Sequence, residues 1–73
     1  MNHFLPINNK KISILGAGKS GLAAAKLASH LGANVFLSDK DLRSKDIPKD
    51  IKYELGKHSD KIFKSDLIIK SPG

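Results

Sequence analysis

The fold is decided by residues 11–22, which read KISILGAGKSGL. The first five form a short run with two isoleucines that ends at a glycine, which is typical of a buried β-strand. A G-x-G-x-x-G string follows at once, from Gly16 to Gly21, and leads into an apolar stretch. In this context Gly16 allows a tight turn, Gly18 lets the backbone approach a phosphate, and Gly21 lets a helix pack closely on a sheet. The stretch therefore predicts a strand, a phosphate-binding turn and the start of a helix.

A helix is predicted over residues 22–31, because apolar side chains recur there at the spacing of one helix face. The residues expected to face the sheet are Ala24, Leu27, Ala28 and Leu31, with Lys26, Ser29 and His30 on the opposite face. Gly32 stands where a helix commonly ends in a left-handed residue. Residues 34–39, NVFLSD, predict a second strand that becomes polar at its carboxyl end. The whole unit has the length of a crossover, so the two strands are expected to be parallel neighbours.

Two further strands are predicted. Residues 51–55 alternate apolar and polar, as in a half-exposed strand, and residues 67–69 are a continuous apolar run, as in a buried one. Between them we expect a short helix that ends at residue 64. Its expected cap is His58 or Ser59, and its inward side chains are Ile62 and Phe63. Strands that alternate with helices predict an α/β fold: a Rossmann-like, doubly wound parallel sheet of about four strands, truncated after the last one.

The candidate site lies at the carboxyl edge of this sheet, where doubly wound folds bind ligands. Three segments are expected there: the glycine loop (residues 16–21), residues 38–39 and residues 71–73. The N–H groups at the helix start favour an anion, and Lys19 and Ser20 would add a positive charge and a hydroxyl. The sequence therefore predicts a phosphate site at this edge.

Asp39 ends the second strand, where an acid of a dinucleotide-binding fold accepts hydrogen bonds from a ribose or a base. Simpler interpretations stay open, namely glycines that only make a turn and a carboxylate that is only solvated. A Walker A loop is excluded, because Leu22 and Ala23 follow Gly21 in place of Lys and Ser or Thr. His58 is more typical of a surface or capping residue than of a general base.

Composition limits the class of protein. The 73 residues carry 13 Lys and Arg against 7 Asp and Glu, a net charge of +6. The lysines are spread along the chain, Arg43 is the single arginine, and aromatic residues are few, which argues against a nucleic-acid interface. Without cysteine there are no disulfides or thiolate metal sites, and neither His3 nor His30 has a partner at metal-ligand spacing. With no membrane-spanning run and no signal-peptide pattern, we expect one small cytoplasmic domain.

Four segments of the chain fit one known pattern. They are residues 14–25 (ILGAGKSGLAAA), the Ser38-Asp39 strand end, residues 56–58 (GKH) and residues 66–73 (DLIIKSPG). Together they resemble the N-terminal domain of the Mur ligases, over nearly the whole chain. The G-x-G-x-S-G and D-L-I-x-x-S-P-G strings are the most specific parts. The resemblance implies that residues 1–73 are a single domain, the first of three in a ligase of peptidoglycan synthesis.

The resemblance also implies a substrate, UDP-N-acetylmuramoyl-L-alanine, whose UDP end this domain would hold while the parent ligase adds D-glutamate. The implied substrate-binding residues are Gly16, Ala17, Gly18, Lys19, Ser20, Gly21, Asp39, Lys40, Ser71 and Gly73. Lys19 and Ser20 would meet the diphosphate, Asp39 and Lys40 the uracil, and residues 71–73 would close over the nucleotide. Lys40 stands where the family has a small hydroxyl residue, so its contact is expected through the backbone.

ATP and magnesium belong to the central domain of that family. Its G-T/S-N-G-K-T/S loop does not occur in these 73 residues. We therefore expect the parent to be an ATP-dependent ligase, and this chain by itself to have no catalytic residue, no metal and no ligase activity.

Two other classes remain open on the residues. The glycine loop and Asp39 would serve the adenosine ribose and diphosphate of NAD(P) equally well, as in half of an oxidoreductase or in a sensor domain. A basic interaction module without a small-molecule site is the other class. The Ser71-Pro72-Gly73 ending and Lys40 favour the ligase interpretation.

Overall fold

The computed structural model describes residues 7–42 and 46–71. In that part of the chain the strands are β1 (Lys11–Leu15), β2 (Asn34–Asp39), β3 (Lys52–Leu55) and β4 (Leu67–Lys70). The helix α1 (Lys19–His30) joins β1 to β2, and a 3₁₀-helix (Asp60–Lys64) precedes β4. The strands pair in parallel in the order β3-β2-β1-β4. The predicted Rossmann-like α/β fold is confirmed.

The core lies between α1 and one face of the sheet. Alternate residues of β1 and β2 fill it together with small residues of α1; they include Ile12, Ile14, Val35, Leu37, Ala25 and Ala28. Because side chains alternate along a strand, Ser13 and Ser38 lie on the opposite face. There the 3₁₀-helix packs against β1 and buries Ile62. The two faces are therefore covered by different elements.

The predicted orientation of α1 is wrong in part. Leu27 is 60% exposed and Leu31 is 47% exposed, and the buried residues of the helix are Gly21, Ala25 and Ala28. These three residues also follow the spacing of one helix face, and their small side chains let the helix lie close to the sheet. The helix also begins at Lys19, three residues earlier than predicted.

The 3₁₀-helix agrees with one half of its prediction. Ser59 caps it, with the Lys61 N–H donating to the Ser59 Oγ at 3.3 Å, and Ile62 is buried. Phe63, which is predicted to turn inward, is 72% exposed. With three residues per turn, adjacent side chains point about 120° apart, so only one of the pair can face the sheet.

The strand predicted at residues 67–69 is present, but the prediction that it is buried is wrong. Leu67, Ile68 and Ile69 are between 36% and 43% exposed. β4 is the edge strand beside β1, so one of its sides has no neighbouring strand among the described residues. In the same part of the chain, no helix has the length and apolar character needed to cross a bilayer.

Candidate functional site

The glycine loop connects β1 to α1 at the carboxyl edge of the sheet. Gly16 has φ +104°, a conformation that L side chains rarely adopt, and its N–H donates to the Ser38 carbonyl oxygen at 2.7 Å. A Cβ on Gly21 would overlap the Gly16 carbonyl oxygen, so α1 can approach the loop only with glycine at this position. The fold itself therefore explains Gly16 and Gly21.

Gly18 is not required by the fold. Its φ of −73° and ψ of −171° suit any residue, and a Cβ there would meet no described heavy atom within 4 Å. Gly18 is the N-cap of α1, so no side chain caps the first N–H groups of the helix. No acidic residue stands in the first turn, which begins with the exposed residues Lys19 and Ser20. Uncapped N–H groups, the helix dipole and a lysine together favour an anion at this place.

Asp39 ties the end of β2 to the glycine loop. Its Oδ2 accepts a hydrogen bond from the Ala17 N–H at 2.7 Å, and its Oδ1 accepts one from the Asp41 N–H at 2.8 Å. The carboxylate therefore lies beside the loop and shapes both the loop and the turn after β2. Lys40 follows it and is exposed. Contact of Asp39 with a ribose or a base stays a prediction.

The end of β4 completes this edge. The Ser71 N–H donates to the Leu15 carbonyl oxygen at 2.8 Å, and a Cβ on Gly16 would lie 3.2 Å from the Ser71 Cβ. The chain builds the sheet outward from β1 to β3 and then returns to add β4 on the other side of β1. The topological switch point, where such sheets bind ligands, therefore lies between β1 and β4. The structure brings the glycine loop, Asp39 and Ser71 together there, and Gly73 lies outside the described residues.

A polar cluster that the sequence did not indicate lies next to this edge, and we call Ser38, Glu54, His58 and Ser59 the Glu54 cluster. The fully buried Ser38 Oγ donates to the Glu54 Oε2 at 2.8 Å and lies 2.6 Å from the His58 Nδ1. Ser59 donates to the Glu54 carboxylate through its N–H at 2.7 Å and its Oγ at 2.5 Å. Ser38 and Glu54 are register partners of β2 and β3, so the signal appears only once the strand pairing is known.

The charge state of Glu54 follows from these contacts. Burial raises the pKa of the Glu54 carboxyl, but hydrogen bonds from the Ser59 side chain, the Ser59 N–H and the Ser38 side chain lower it, as does the charge of Lys57. The lowering effects prevail, and the pKa of Glu54 lies below its usual value. Glu54 is therefore ionised at neutral pH and acts only as a hydrogen-bond acceptor.

A cavity of about 360 Å³ lies away from the glycine loop, and none of the predicted site residues lines it. Its walls include Ser13, Phe36, Lys52, Lys61 and Lys64. Within residues 7–42 and 46–71, no three His, Asp or Glu side chains are grouped so that they could hold a metal ion.

Comparison with known proteins gives two results. The family model described as "Alanine dehydrogenase/PNT, C-terminal domain" matches residues 4–70. A UDP-N-acetylmuramoylalanine--D-glutamate ligase of Chlorobium chlorochromatii is 39% identical over 94% of this chain, which is 16% of the relative. The ligases of the same name from Elusimicrobium minutum and Christiangramia forsetii are each 47% identical over 88% of this chain, which is 15% and 16% of their lengths.

The chain thus spans about one sixth of the length of the curated relatives that it matches. The family model covers nearly the whole chain and describes the same Rossmann-like domain that the sheet shows. The chain belongs to the family of this Rossmann-like domain, and over nearly its whole length it is similar to the Mur ligases named UDP-N-acetylmuramoylalanine--D-glutamate ligase.

Proposed function

We propose that this chain binds the uridine diphosphate part of UDP-N-acetylmuramoyl-L-alanine, as the first domain of an ATP-dependent ligase that adds D-glutamate in peptidoglycan synthesis. The names of the relatives support the substrate and the amino acid. In this proposal residues 1–73 are one substrate-binding domain, and the remaining domains hold ATP, magnesium and D-glutamate.

The observation that carries the proposal is the uncapped start of α1 at Gly18. The fold has no need of a glycine there, and the side chain of an N-cap residue lies close to the first N–H groups of a helix. A diphosphate needs a close approach to these groups, because backbone N–H groups bind phosphate oxygens only at hydrogen-bond distance. Lys19 and Ser20, both exposed in the first turn, would supply a positive charge and a hydroxyl to the same phosphates.

The uracil is assigned to the end of β2. Asp39 is bonded to Ala17 within the glycine loop, so a nucleotide whose diphosphate lies on the loop has its base within reach of Asp39 and the backbone of Lys40. Ser71 packs against Gly16 on the other side of the loop and, with Gly73, would border the diphosphate.

A dinucleotide is the second candidate ligand, because the matching family model is named after alanine dehydrogenase. Calorimetric titration of the folded 73-residue chain with a UDP-sugar, UDP and NAD in parallel separates the two candidates. We expect both uridine ligands to bind better than NAD, with a dissociation constant on the order of 1 mM, since an open site with few enclosing groups gives up burial and preorganisation. Tighter binding of NAD would assign the site to a dinucleotide, and a flat titration with all three would leave only a basic interaction module.

The proposal also predicts what the 73 residues cannot do. Mixed with ATP, magnesium, a UDP-muramoyl acceptor and D-glutamate, the chain should release no phosphate above background, because its sequence contains no ATP-binding loop. Phosphate release that depends on the acceptor would contradict this assignment.

A further inference from the structure

We propose that Glu54 is a positioning residue of the nucleotide site. Its carboxylate holds the Ser38 side chain and residues 57–59 in one arrangement, and through Ser38 it fixes the glycine loop. The effect on nucleotide binding rests on the proposed function, whereas the effect on the loop stands on the hydrogen bonds alone.

The hydrogen bonds around Ser38 determine the tautomer of His58. Three atoms lie within hydrogen-bond distance of the Ser38 Oγ. They are the His58 Nδ1 at 2.6 Å, the Glu54 Oε2 at 2.8 Å and the Lys57 carbonyl oxygen at 3.2 Å. A serine hydroxyl has one proton to donate, and the ionised Glu54 carboxylate has none, so their 2.8 Å contact is a hydrogen bond only if Ser38 supplies the proton. Because that proton goes to Glu54, the His58 Nδ1 must donate to Ser38. Neutral His58 is therefore the Nδ1–H tautomer, with Nε2 as its acceptor atom.

The other side of the carboxylate is occupied as well. The N–H and the hydroxyl of Ser59 both donate to Glu54, so with Ser38 three donors converge on one group. Only a group that accepts and never donates satisfies all three. Since Ser59 is also the N-cap of the 3₁₀-helix, Glu54 fastens the segment between β3 and that helix to the end of β2.

The same end of β2 holds the glycine loop. The Ser38 carbonyl oxygen accepts from the Gly16 N–H at 2.7 Å, and the Oδ2 of Asp39 accepts from the Ala17 N–H at 2.7 Å. Two consecutive residues thus connect the Glu54 cluster to the two loop residues that follow β1. A change in how Ser38 is held therefore moves the acceptors on which the loop depends.

The test is Glu54→Gln, which keeps the shape of the side chain but places an NH₂ group among three donors. Asp60→Asn is the matched control, because it removes the same charge from an exposed residue outside the cluster. Three readouts are compared: the ¹⁵N shifts of the His58 ring, hydrogen exchange at the Gly16 and Ala17 amides, and UDP affinity. For Glu54→Gln we expect a mixture of His58 tautomers, exchange faster by about tenfold and UDP affinity lower by about fivefold. Asp60→Asn should leave all three unchanged.

A folded Glu54→Gln variant with the native His58 tautomer and native amide exchange would overturn the proposal. If the unchanged protein binds no UDP, the proposed function fails, and the tautomer and exchange readouts still decide the role of Glu54. If Glu54→Gln does not fold, Ser59→Ala weakens the hold on the carboxylate while keeping its charge. Smaller changes in the same direction then support the proposal, and native values at both amides overturn it.

Discussion

Gly18 and Gly21 belong to one motif, and the structure gives them different tasks. Gly21 lies against the Gly16 carbonyl oxygen, so it sets how closely α1 approaches the loop. Gly18 has an ordinary conformation and free space where a Cβ would lie. The fold therefore needs Gly21, as it needs Gly16, whereas it does not need Gly18, which we propose keeps the approach to the helix start open.

Substitution separates these two tasks. Gly18→Val should leave the fold intact at a cost of about 1 kcal/mol, since valine is a poor N-cap, and should lower UDP affinity by at least about tenfold. Gly21→Ala should destabilise the fold by about 1 to 3 kcal/mol, because its Cβ has no space. Thermal unfolding and calorimetry of both variants test this. Unchanged UDP binding by folded Gly18→Val, or native stability of Gly21→Ala, would contradict the assignment.

Glu54 should make stability depend on acid pH. Its pKa is lower in the folded chain than the ordinary value of 4.5, so folding favours the ionised form. This stabilisation is complete above the unfolded pKa and is lost as the pH falls through the folded pKa. Urea unfolding at a series of acid pH values should therefore show a flatter pH dependence for Glu54→Gln than for the unchanged protein. Parallel curves for the two proteins would show that Glu54 contributes nothing to the pH dependence of stability.

At the scale of elements, strand positions and the crossover could be predicted, because short apolar or alternating runs bounded by glycine or polar residues mark strands. The face of α1 that contacts the sheet could not be predicted in this way. Two sets of residues, which share Ala28, fit the spacing of one helix face, and the leucines of the predicted set are exposed. The close approach imposed by Gly21 selects the set with Ala25 and Ala28, and such a contact between helix and loop is not visible in a periodicity.

Part of the candidate site could likewise be predicted from the sequence. The glycine loop, Asp39 and Ser71 follow from motifs that adjoin strand ends, and the structure places them at one edge. From the sequence alone, Glu54 is one of the polar residues of an alternating strand. Its role depends on lying in register with Ser38, which is a property of the pairing of β2 with β3 and of neither strand alone.

The corrected face of α1 can be tested with two substitutions. Leu27→Lys should change the free energy of unfolding by less than about 0.5 kcal/mol, because Leu27 is exposed. Ala25→Leu should cost about 1 to 3 kcal/mol, because Ala25 is fully buried against the sheet. Chemical denaturation measures both. If Leu27→Lys destabilised the fold more than Ala25→Leu did, the helix orientation predicted from the spacing of Ala24, Leu27, Ala28 and Leu31 would be the correct one.

At the scale of the whole molecule, the sheet is covered unequally. α1 covers β1 and β2 on one face, whereas the other face carries the 3₁₀-helix and the cavity, and the buried Ser13 Oγ has no hydrogen-bond partner among the described residues. β4 exposes apolar side chains toward both faces, since Leu67 is in register with Ile12 and Ile68 with Ser13. An apolar edge strand of this kind is a template for pairing with another chain.

The 73-residue chain should therefore associate through β4 as its concentration rises. Salt should strengthen the association, because the net charge of +6 makes two copies repel each other. Ile68→Lys should reduce it, whereas Leu27→Lys adds the same charge on α1 and should reduce it less. Sedimentation equilibrium at low and high salt measures the effect. A monomer under every condition, or equal behaviour of the two variants, would count against β4 as the contact.

The central claim is that the uncapped start of α1 is the diphosphate site, and amide chemical-shift mapping during a UDP titration tests it most directly. We expect the largest shifts at the amides of Gly18, Lys19 and Ser20, smaller ones at Asp39 and Lys40, and none of comparable size in Gly18→Val. Shifts centred on Lys52, Lys61 and Lys64 around the cavity, or a spectrum that UDP leaves unchanged, would contradict the claim.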